Sequence, residues 1–212
     1  MNIYESESFV FSFDISETFL PSSKIIDLEF KIRLNNSGDT PIKIYPNIAP
    51  FSNPIGWGGP FFGIDVRGAK NQELRTYYGP PSEPPNRNYY EKNMTLLHPG
   101  ETHTCFFETC WIPNSILKEG VLSKKHLDPE GMDGMNEDLF RKSSFLIFNQ
   151  NADRMTQEMN LREDFLRPNR LILFSGSGKY KFYLTYFQDQ WVDFNPTYRL
   201  NLKSEERIFH VE

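Results

Sequence analysis

The stretch IDLEFKIRLNNSGDTPIKIY, residues 26–45, decides the fold of this chain. Apolar side chains stand at every second position from Ile26 to Leu34, and charged side chains fill the positions between them. This alternation is typical of a β-strand with one buried and one exposed face. The turn-forming residues Asn35–Asp39 follow, and the alternation resumes at Pro41–Tyr45. The stretch therefore predicts two strands that are joined as a hairpin or as a corner between sheets.

Similar alternation recurs along the rest of the chain. Aromatic residues alternate with other residues at Phe9–Phe13, and again at Tyr180–Tyr186. The pattern predicts further strands at 61–66, 73–78, 94–97, 102–108 and 207–211. The fold class that follows is all-β, an antiparallel β-sandwich in which residues 1–212 form a single domain.

One segment differs in texture from the strand-rich parts. Residues 113–168 are more charged and hold four of the six methionines. Two stretches in this segment have helical character, 136–142 and 153–166. We therefore expect a partly helical insertion at about 113–168, placed between two strands of the sandwich.

Charge and hydropathy exclude two classes of partner. Lys and Arg number 23 against 28 Asp and Glu, a net charge of -5, and no basic stripe points to a nucleic acid. The longest apolar runs are short, such as Phe145–Phe148, whereas a membrane span needs about 20 apolar residues. The first residues lack the basic start of a signal peptide. The sequence predicts a cytoplasmic protein, or a secreted one from which a leader was removed.

The two cysteines, Cys105 and Cys110, are five positions apart. On one extended strand their Cα atoms would be separated by about 16 Å. A disulfide requires a separation below about 7 Å. We therefore expect two reduced, partly buried thiols, unless the chain turns between them.

Four segments together resemble a known family. In order they are LEFKIRLNNSGDTPIKIYPN (28–47), FFGIDV (61–66), LLHPGETHTCFFETCW (96–111) and GKYKFYLTYF (178–187). This succession is similar to the bacterial intracellular proteinase inhibitor family and to the Ig-like accessory domains of peptidases. The resemblance implies an Ig-like β-sandwich that binds rather than catalyses. The chain departs from the family in its length and in the insertion after Trp111, and no functional residue is carried over.

Aromatic residues are concentrated around two loop-like segments. Trp57 lies within Gly56–Pro60, Tyr77 and Tyr78 precede a proline-rich loop at 79–85, and Tyr89 and Tyr90 follow it. Exposed rings of this kind can stack on sugars or fill a pocket of a partner protein. The same rings could instead fold back and close the ends of the sandwich. The two interpretations stay open at this point.

The segment 128–138 is the densest cluster of acidic residues. Its candidate metal ligands are Asp128, Glu130, Asp133 and Asp138, because calcium prefers several oxygen ligands from one loop. The EF-hand pattern fails at its fifth position, which is Met132. A solvated acidic loop that leads into a helix is the alternative. Calcium is the one cofactor that the sequence suggests.

Three functions remain, and the first is a non-enzymatic protein-interaction module, inhibitor-like as the resemblance implies. It would bind an unidentified protein partner through the aromatic and proline-rich loops. The second is a carbohydrate-binding or accessory module with a calcium-stabilised loop. The third is a hydrolase with a site on the insertion, in which His126 acts with Asp128 or Glu130. No catalytic motif supports the third, since Gly176–Lys179 departs from the phosphate-binding loop pattern at two positions.

Overall fold

The computed structural model describes residues 2–3, 8–44, 61–68, 76–78, 94–118, 142–148, 170–192 and 195–212. These residues confirm an all-β fold. The strands in chain order are β1 (Asn2–Ile3), β2 (Phe9–Ile15), β3 (Phe19–Leu20), β4 (Ile26–Asn36), β5 (Ile42–Ile44), β6 (Phe61–Gly68), β7 (Thr76–Tyr78), β8 (Thr95–Leu97), β9 (Thr102–Ile112), β10 (Ser144–Phe148), β11 (Arg170–Phe174), β12 (Gly178–Val192), β13 (Asn195–Lys203) and β14 (Arg207–Val211). A short helix, α1 (Asn114–Lys118), follows β9.

The first sheet, sheet A, is built around the long strand β12. On one side β12 pairs with β6 along Tyr180–Phe187. On the other side it pairs with β14 along Gly178–Phe182 and with β13 along Thr185–Val192. Strands β13 and β14 therefore form one line that runs antiparallel to β12.

A bulge at Ser204 joins β13 to β14. The Ser204 N–H donates to the carbonyl of Leu184, and the Leu184 N–H donates to the Ser204 hydroxyl oxygen, each at 2.9 Å. The same hydroxyl donates to the carbonyl of Glu205. Three residues, 204–206, lie opposite two residues of β12, 183–184, so the bulge contains one extra residue. Because a side-chain oxygen takes the place of a backbone carbonyl, this extra residue leaves no unpaired donor at Leu184.

The second sheet, sheet B, has the strand order β2-β4-β9-β10-β11-β7, and every neighbouring pair is antiparallel. Strand β10 is central in this half of the sheet, and Phe145, Leu146 and Ile147 are all fully buried. Burial on both faces explains why this strand is a continuous apolar run instead of an alternating one.

The N-terminal strands connect the two sheets. Strands β1 and β3 join sheet A by parallel pairing with β13 and β14, whereas β2 between them belongs to sheet B. The Arg207 Nε of β14 donates to the carbonyl of Phe13 in β2 at 3.4 Å. Beyond β14, the Glu212 carboxylate accepts hydrogen bonds from the backbone and side chain of Ser22. This corner of the fold is therefore held by residues from both ends of the described chain.

One apolar core lies between the sheets. Across the interface the ring of Phe11 lies 6.1 Å from that of Tyr186, and Phe174 lies 5.0 Å from Tyr180 between centroids. Trp111 is fully buried, contacts Phe174 edge to face, and donates its indole N–H to the carbonyl of Pro21 at 2.8 Å. Large rings therefore fill much of the core, as the aromatic content of the sequence suggests.

Residues 26–44, the described part of the stretch that opens the sequence analysis, form a corner and not a hairpin. Strand β4 pairs with β9, whereas β5 pairs with β8, so β4 and β5 do not pair with each other. The bend at 37–41 carries the β4–β9 ladder into a separate two-stranded sheet, β5–β8. The alternation in the sequence places both strands correctly, but it contains no information on their partners.

The segment 113–168 is not an insertion throughout. Its residues 144–148 form β10, which lies between β9 and β11 inside sheet B. The described helical residues in the segment are α1 and Lys142. Most of the two helix candidates at 136–142 and 153–166 lies outside the described residues. Within the described ranges, no helix combines the length and apolar character needed to cross a bilayer.

Both cysteines lie on β9 and both are free. Cys105 is opposite Ile32 on the core side, next to His103 on the same face, whereas Cys110 is opposite Asp27 on the outer side. Five positions along a strand place two side chains on opposite faces. The expectation of unbridged thiols is confirmed. Burial and the nearby Asp27 carboxylate raise the pKa of the Cys110 thiol, so Cys110 is an unreactive buried thiol.

Candidate functional site

The two-stranded sheet β5–β8 is fastened to the rest of the fold by one buried amide, Asn36. This side chain ends β4 and is fully buried. Its Nδ2 donates to the carbonyls of Thr40 and Leu97 at 2.9 and 3.0 Å, and its Oδ1 accepts from the Gly38 N–H at 3.1 Å. A single side chain therefore ties the end of β4, the bend and the end of β8 together, with all of its polar groups satisfied.

A tight turn before β9 completes the same junction. The Glu101 N–H donates to the His98 carbonyl at 3.0 Å, and Gly100 has a φ of +78°. Pro99 precedes this glycine, as in a type II turn. The backbone of Asn36 donates to the Glu101 carbonyl and accepts from the Gly100 N–H at 2.7 Å. We call the junction together with β5 and β8 the stem.

Two of the aromatic segments each have one end at the stem, and these two ends lie side by side. Ile44, the last residue of β5, is the register partner of Thr95, the first residue of β8. The segment 45–60 follows directly after Ile44, and the segment 79–93 ends just before Met94 and Thr95. The chain positions of Trp57, Tyr89 and Tyr90 lie in these segments, outside the described residues.

Tyr77 and Tyr78 are placed elsewhere. They belong to β7, which among the described strands pairs with β11 alone, and Tyr78 shares a row of sheet B with Thr109. Thr109 is seven residues along β9 from Thr102, which is about 24 Å at the usual rise of a strand. The backbones of Tyr77 and Tyr78 therefore lie some distance from the stem. Only three of the five aromatic candidates, Trp57, Tyr89 and Tyr90, belong to segments with an end at the stem.

The candidate metal ligands cannot be placed in the same way. Asp128, Glu130, Asp133 and Asp138 lie outside the described residues, as does His126. Among the residues that the structure does describe, no group of three or more His, Cys, Asp or Glu side chains is arranged to hold a metal ion.

A polar cluster on the outer face of sheet A was not visible in the sequence. Tyr183 of β12 donates its hydroxyl proton to the carboxylate of Asp65, and the Arg67 guanidinium donates to the same hydroxyl oxygen at 2.9 Å. Arg67 also pairs with Asp65 at 3.4 Å, and the Lys203 Nζ lies 3.7 Å from the centre of the Tyr183 ring. The cluster joins β6, β12 and β13 across the sheet.

We call the cluster of Asp65, Arg67, Tyr183 and Lys203 the clamp, because its contacts join three strands of sheet A. Burial raises the pKa of the Tyr183 hydroxyl, and the adjacent Asp65 carboxylate raises it further. The pKa of Arg67 is raised as well, chiefly by its hydrogen bond to Asp65. Tyr183 is therefore a neutral phenol at neutral pH, and its hydroxyl is hydrogen-bonded to both Asp65 and Arg67.

Comparison with known proteins does not assign a family. No protein-family model matches the chain, and no curated protein matches it either.

Proposed function

We propose that this chain is a non-enzymatic protein-interaction module that binds its partner through the aromatic and proline-rich segments 45–60 and 79–93. The observation that carries the proposal is the pairing of Ile44 with Thr95, which holds one end of each segment beside the other on the stem. Binding residues are commonly found on loops that a rigid scaffold positions. The buried amide of Asn36 provides that rigidity.

The residue types in the two segments favour a protein as the partner. Trp57, Tyr89 and Tyr90 are of the types that dominate protein interfaces when they fill a pocket. The prolines at 80, 81, 84 and 85 restrict the free segment. A restricted segment loses less conformational entropy when it binds.

Further parts of the proposal concern class and compartment. We propose the Ig-like β-sandwich as the class of this fold, since two mainly antiparallel sheets enclose a core that contains the buried Trp111. An inhibitor-like mode of binding is the form that the resemblance favours. The free thiols Cys105 and Cys110 favour a reducing compartment, the cytoplasm.

An affinity capture from the source lysate tests the proposal. The baits are the wild-type chain, Trp57→Ala, the double variant Tyr89→Ala/Tyr90→Ala, a chain whose residues 79–90 are replaced by Gly and Ser, and an empty matrix. Phe106→Ala is the matched control, because Phe106 is an exposed ring on the outer face of sheet B. Captured proteins are identified by mass spectrometry.

We expect one protein that wild type and Phe106→Ala enrich and that the three segment variants lose. Enrichment that survives in all three segment variants would show that the partner binds elsewhere. If only Phe106→Ala loses the protein, the site lies on sheet B and the proposal fails. If nothing is enriched with calcium or with a chelator, glycans or small molecules replace a protein as the leading class of ligand.

A further inference from the structure

The outer face of sheet A carries apolar side chains that are open to solvent. Phe19 of β3 and Ile208 of β14 are 51% and 46% exposed, whereas the next residues along these strands, Leu20 and Phe209, are fully buried. Neighbouring residues of a strand point to opposite faces of the sheet. Phe19 and Ile208 therefore lie on the face of sheet A that is turned away from the core.

Basic side chains of β12 lie beside these apolar residues. Lys181 is the register partner of Ile208, and Lys179 is the register partner of His210, which in turn pairs with Phe19. Both lysines and His210 are exposed. The five residues form two neighbouring rows about 7 Å apart. We call this surface the mixed face, after its apolar and basic side chains.

The linear sequence does not show this concentration of basic residues. Lys179 and Lys181 are two positions apart, but Arg67 comes from β6, where it is the register partner of Lys181. Lys203 of β13 lies further along the same outer face, opposite Thr185. The pairing of strands that are distant in the chain therefore brings these side chains to one face.

Part of this positive charge has no carboxylate beside it. Lys181 pairs with Glu206 at 2.9 Å, and Arg67 pairs with Asp65 at 3.4 Å. Lys179 forms no ion pair with any residue that the structure describes. The chain as a whole has a net charge of -5. A basic surface of this kind on an acidic protein is complementary to an anionic partner.

The apolar residues favour a protein segment over a nucleic acid as that partner. A nucleic acid meets a basic surface mainly through its phosphates, which cannot cover Phe19 and Ile208 favourably. A protein segment can place carboxylates over the lysines and apolar side chains over Phe19 and Ile208.

The same residues argue against an anionic bilayer. An interfacial anchor buries its apolar side chains about 5–10 Å into the boundary of the acyl region. Phe19 and Ile208 are already about half covered by the fold. A bilayer of anionic headgroups would also lie against Asp65 and Glu206, which are 39% and 44% exposed on this face.

We propose that the mixed face is a docking surface for an acidic segment of a partner protein, in which carboxylates and apolar side chains are interspersed. The carboxylates of the segment pair with Lys179 and Lys181, and its apolar side chains cover Phe19 and Ile208. The surface lies on sheet A and does not depend on the stem or on the proposed function of its two segments.

Titration of the full chain with labelled peptides tests the proposal. The probe is a fluorescein-labelled peptide in which glutamate alternates with leucine. One matched peptide has serine in place of leucine, and the other has lysine in place of glutamate. Fluorescence anisotropy gives the dissociation constants. We expect the glutamate–leucine peptide to bind, and each matched peptide to bind about tenfold more weakly or worse.

Substitutions on the mixed face should weaken binding of the glutamate–leucine peptide. We expect Lys179→Glu/Lys181→Glu to raise the dissociation constant about tenfold or more, and Ile208→Ser to raise it about fivefold. Lys31→Glu/Lys142→Glu is the matched control, because it changes the net charge equally at two residues outside the mixed face. The control should stay within about threefold of wild type. Near-ultraviolet circular dichroism verifies that each variant is folded.

An NMR titration of the backbone amides locates the bound peptide. We expect the largest shift changes in β3, β14 and the first residues of β12, and small changes at Asn36 and Thr95 of the stem. The proposal is overturned if the glutamate–leucine peptide does not bind, if Lys179→Glu/Lys181→Glu binds it as tightly as wild type, or if the largest changes lie at the stem.

Two further probes decide between classes of partner. They are vesicles that contain phosphatidylserine and a single-stranded oligonucleotide, each titrated against wild type and Lys179→Glu/Lys181→Glu. We expect both to bind wild type more weakly than the glutamate–leucine peptide does. Tighter binding of either probe, lost in the lysine double variant, would replace the protein segment by a membrane or a nucleic acid and overturn the proposal.

Discussion

At the scale of single residues, Tyr183 shows how an outward-facing ring becomes covered. The residue lies on the outer face of sheet A, yet it is only 8% exposed. Arg67 and Lys203 lie over the ring from neighbouring strands, and the Asp65 carboxylate accepts a hydrogen bond from its hydroxyl. The clamp therefore shields a polar aromatic group with charged side chains instead of apolar ones.

The clamp predicts a dependence of stability on alkaline pH. An unfolded tyrosine loses its proton near pH 10, whereas Tyr183 keeps it to higher pH in the folded chain. A raised pKa contributes stability that is complete below about pH 10 and is lost as the pH rises through the folded value. Tyr183→Phe has no proton to lose. Urea unfolding between about pH 8 and pH 11 should show a shallower decline for this variant than for wild type. Parallel profiles would contradict the prediction.

Among truncations of single polar side chains in the stem, we expect Asn36→Ala to cause the largest loss of stability. Asn36→Ala leaves the carbonyls of Thr40 and Leu97 without their side-chain donor, whereas the Gly38 N–H keeps its hydrogen bond to the Ser8 carbonyl. We expect a loss of about 2–4 kcal/mol in the free energy of unfolding. Asn35→Ala is the matched control, since this neighbour is half-exposed and water can replace its bonds, at a cost below about 1 kcal/mol. Equal losses in the two variants, measured by urea unfolding, would count against the assigned role of Asn36.

At the scale of elements, the bulge at Ser204 allows β13 and β14 to pair in one line along the same side of β12. Strands β13 and β14 both pair with β12 on the same side. At the interruption between them, the Ser204 hydroxyl accepts a hydrogen bond from the Leu184 N–H and donates one to the Glu205 carbonyl. The bulge keeps Leu202 and Phe209 in the core, although residues 204–206 between them fall outside the regular register with β12.

Removal of the Ser204 hydroxyl should therefore lower the free energy of unfolding, although the substitution deletes only one oxygen atom. Ser204→Ala leaves the Leu184 N–H buried without its acceptor, and we expect a loss of about 1–3 kcal/mol. Ser177→Ala, on the exposed turn before β12, should stay within about 0.5 kcal/mol of wild type. Urea unfolding of the pair measures the difference. The assignment fails if Ser204→Ala is as stable as Ser177→Ala.

Local alternation predicts some elements of this fold and not others. The period of two at Ile26–Leu34 and Tyr180–Tyr186 places β4 and β12 without ambiguity, because one face of each strand is buried. The same period at Tyr198, Leu200 and Leu202 marks β13, but the Asn-Pro start obscures it. β1 and β3 are two residues long and form through pairing with β13 and β14. No local pattern can reveal strands of that kind.

At the scale of the whole molecule, the candidate site combines local and distant information. Trp57, Tyr89 and Tyr90 are visible as aromatic residues in loop-forming sequence, and they remain candidates on that ground. One end of each of their segments lies at the stem because Ile44 pairs with Thr95. The clamp depends on a contact between Asp65 and Tyr183, which are 118 positions apart. Sequence periodicity predicts which face a residue occupies, but not which distant strand will lie beside it.

The closure of sheet A at its N-terminal corner has a consequence for synthesis on the ribosome. β3 pairs with β14, and Ser22 bonds to Glu212 at a separation of 190 residues. At about 5–20 residues per second, the nascent chain spends about 10–40 s with β3 already synthesised and its partner strand still missing. Sheet A therefore completes only after β14 has left the exit tunnel. Until then Leu20 of β3, which is fully buried in the folded chain, lacks its partner strand.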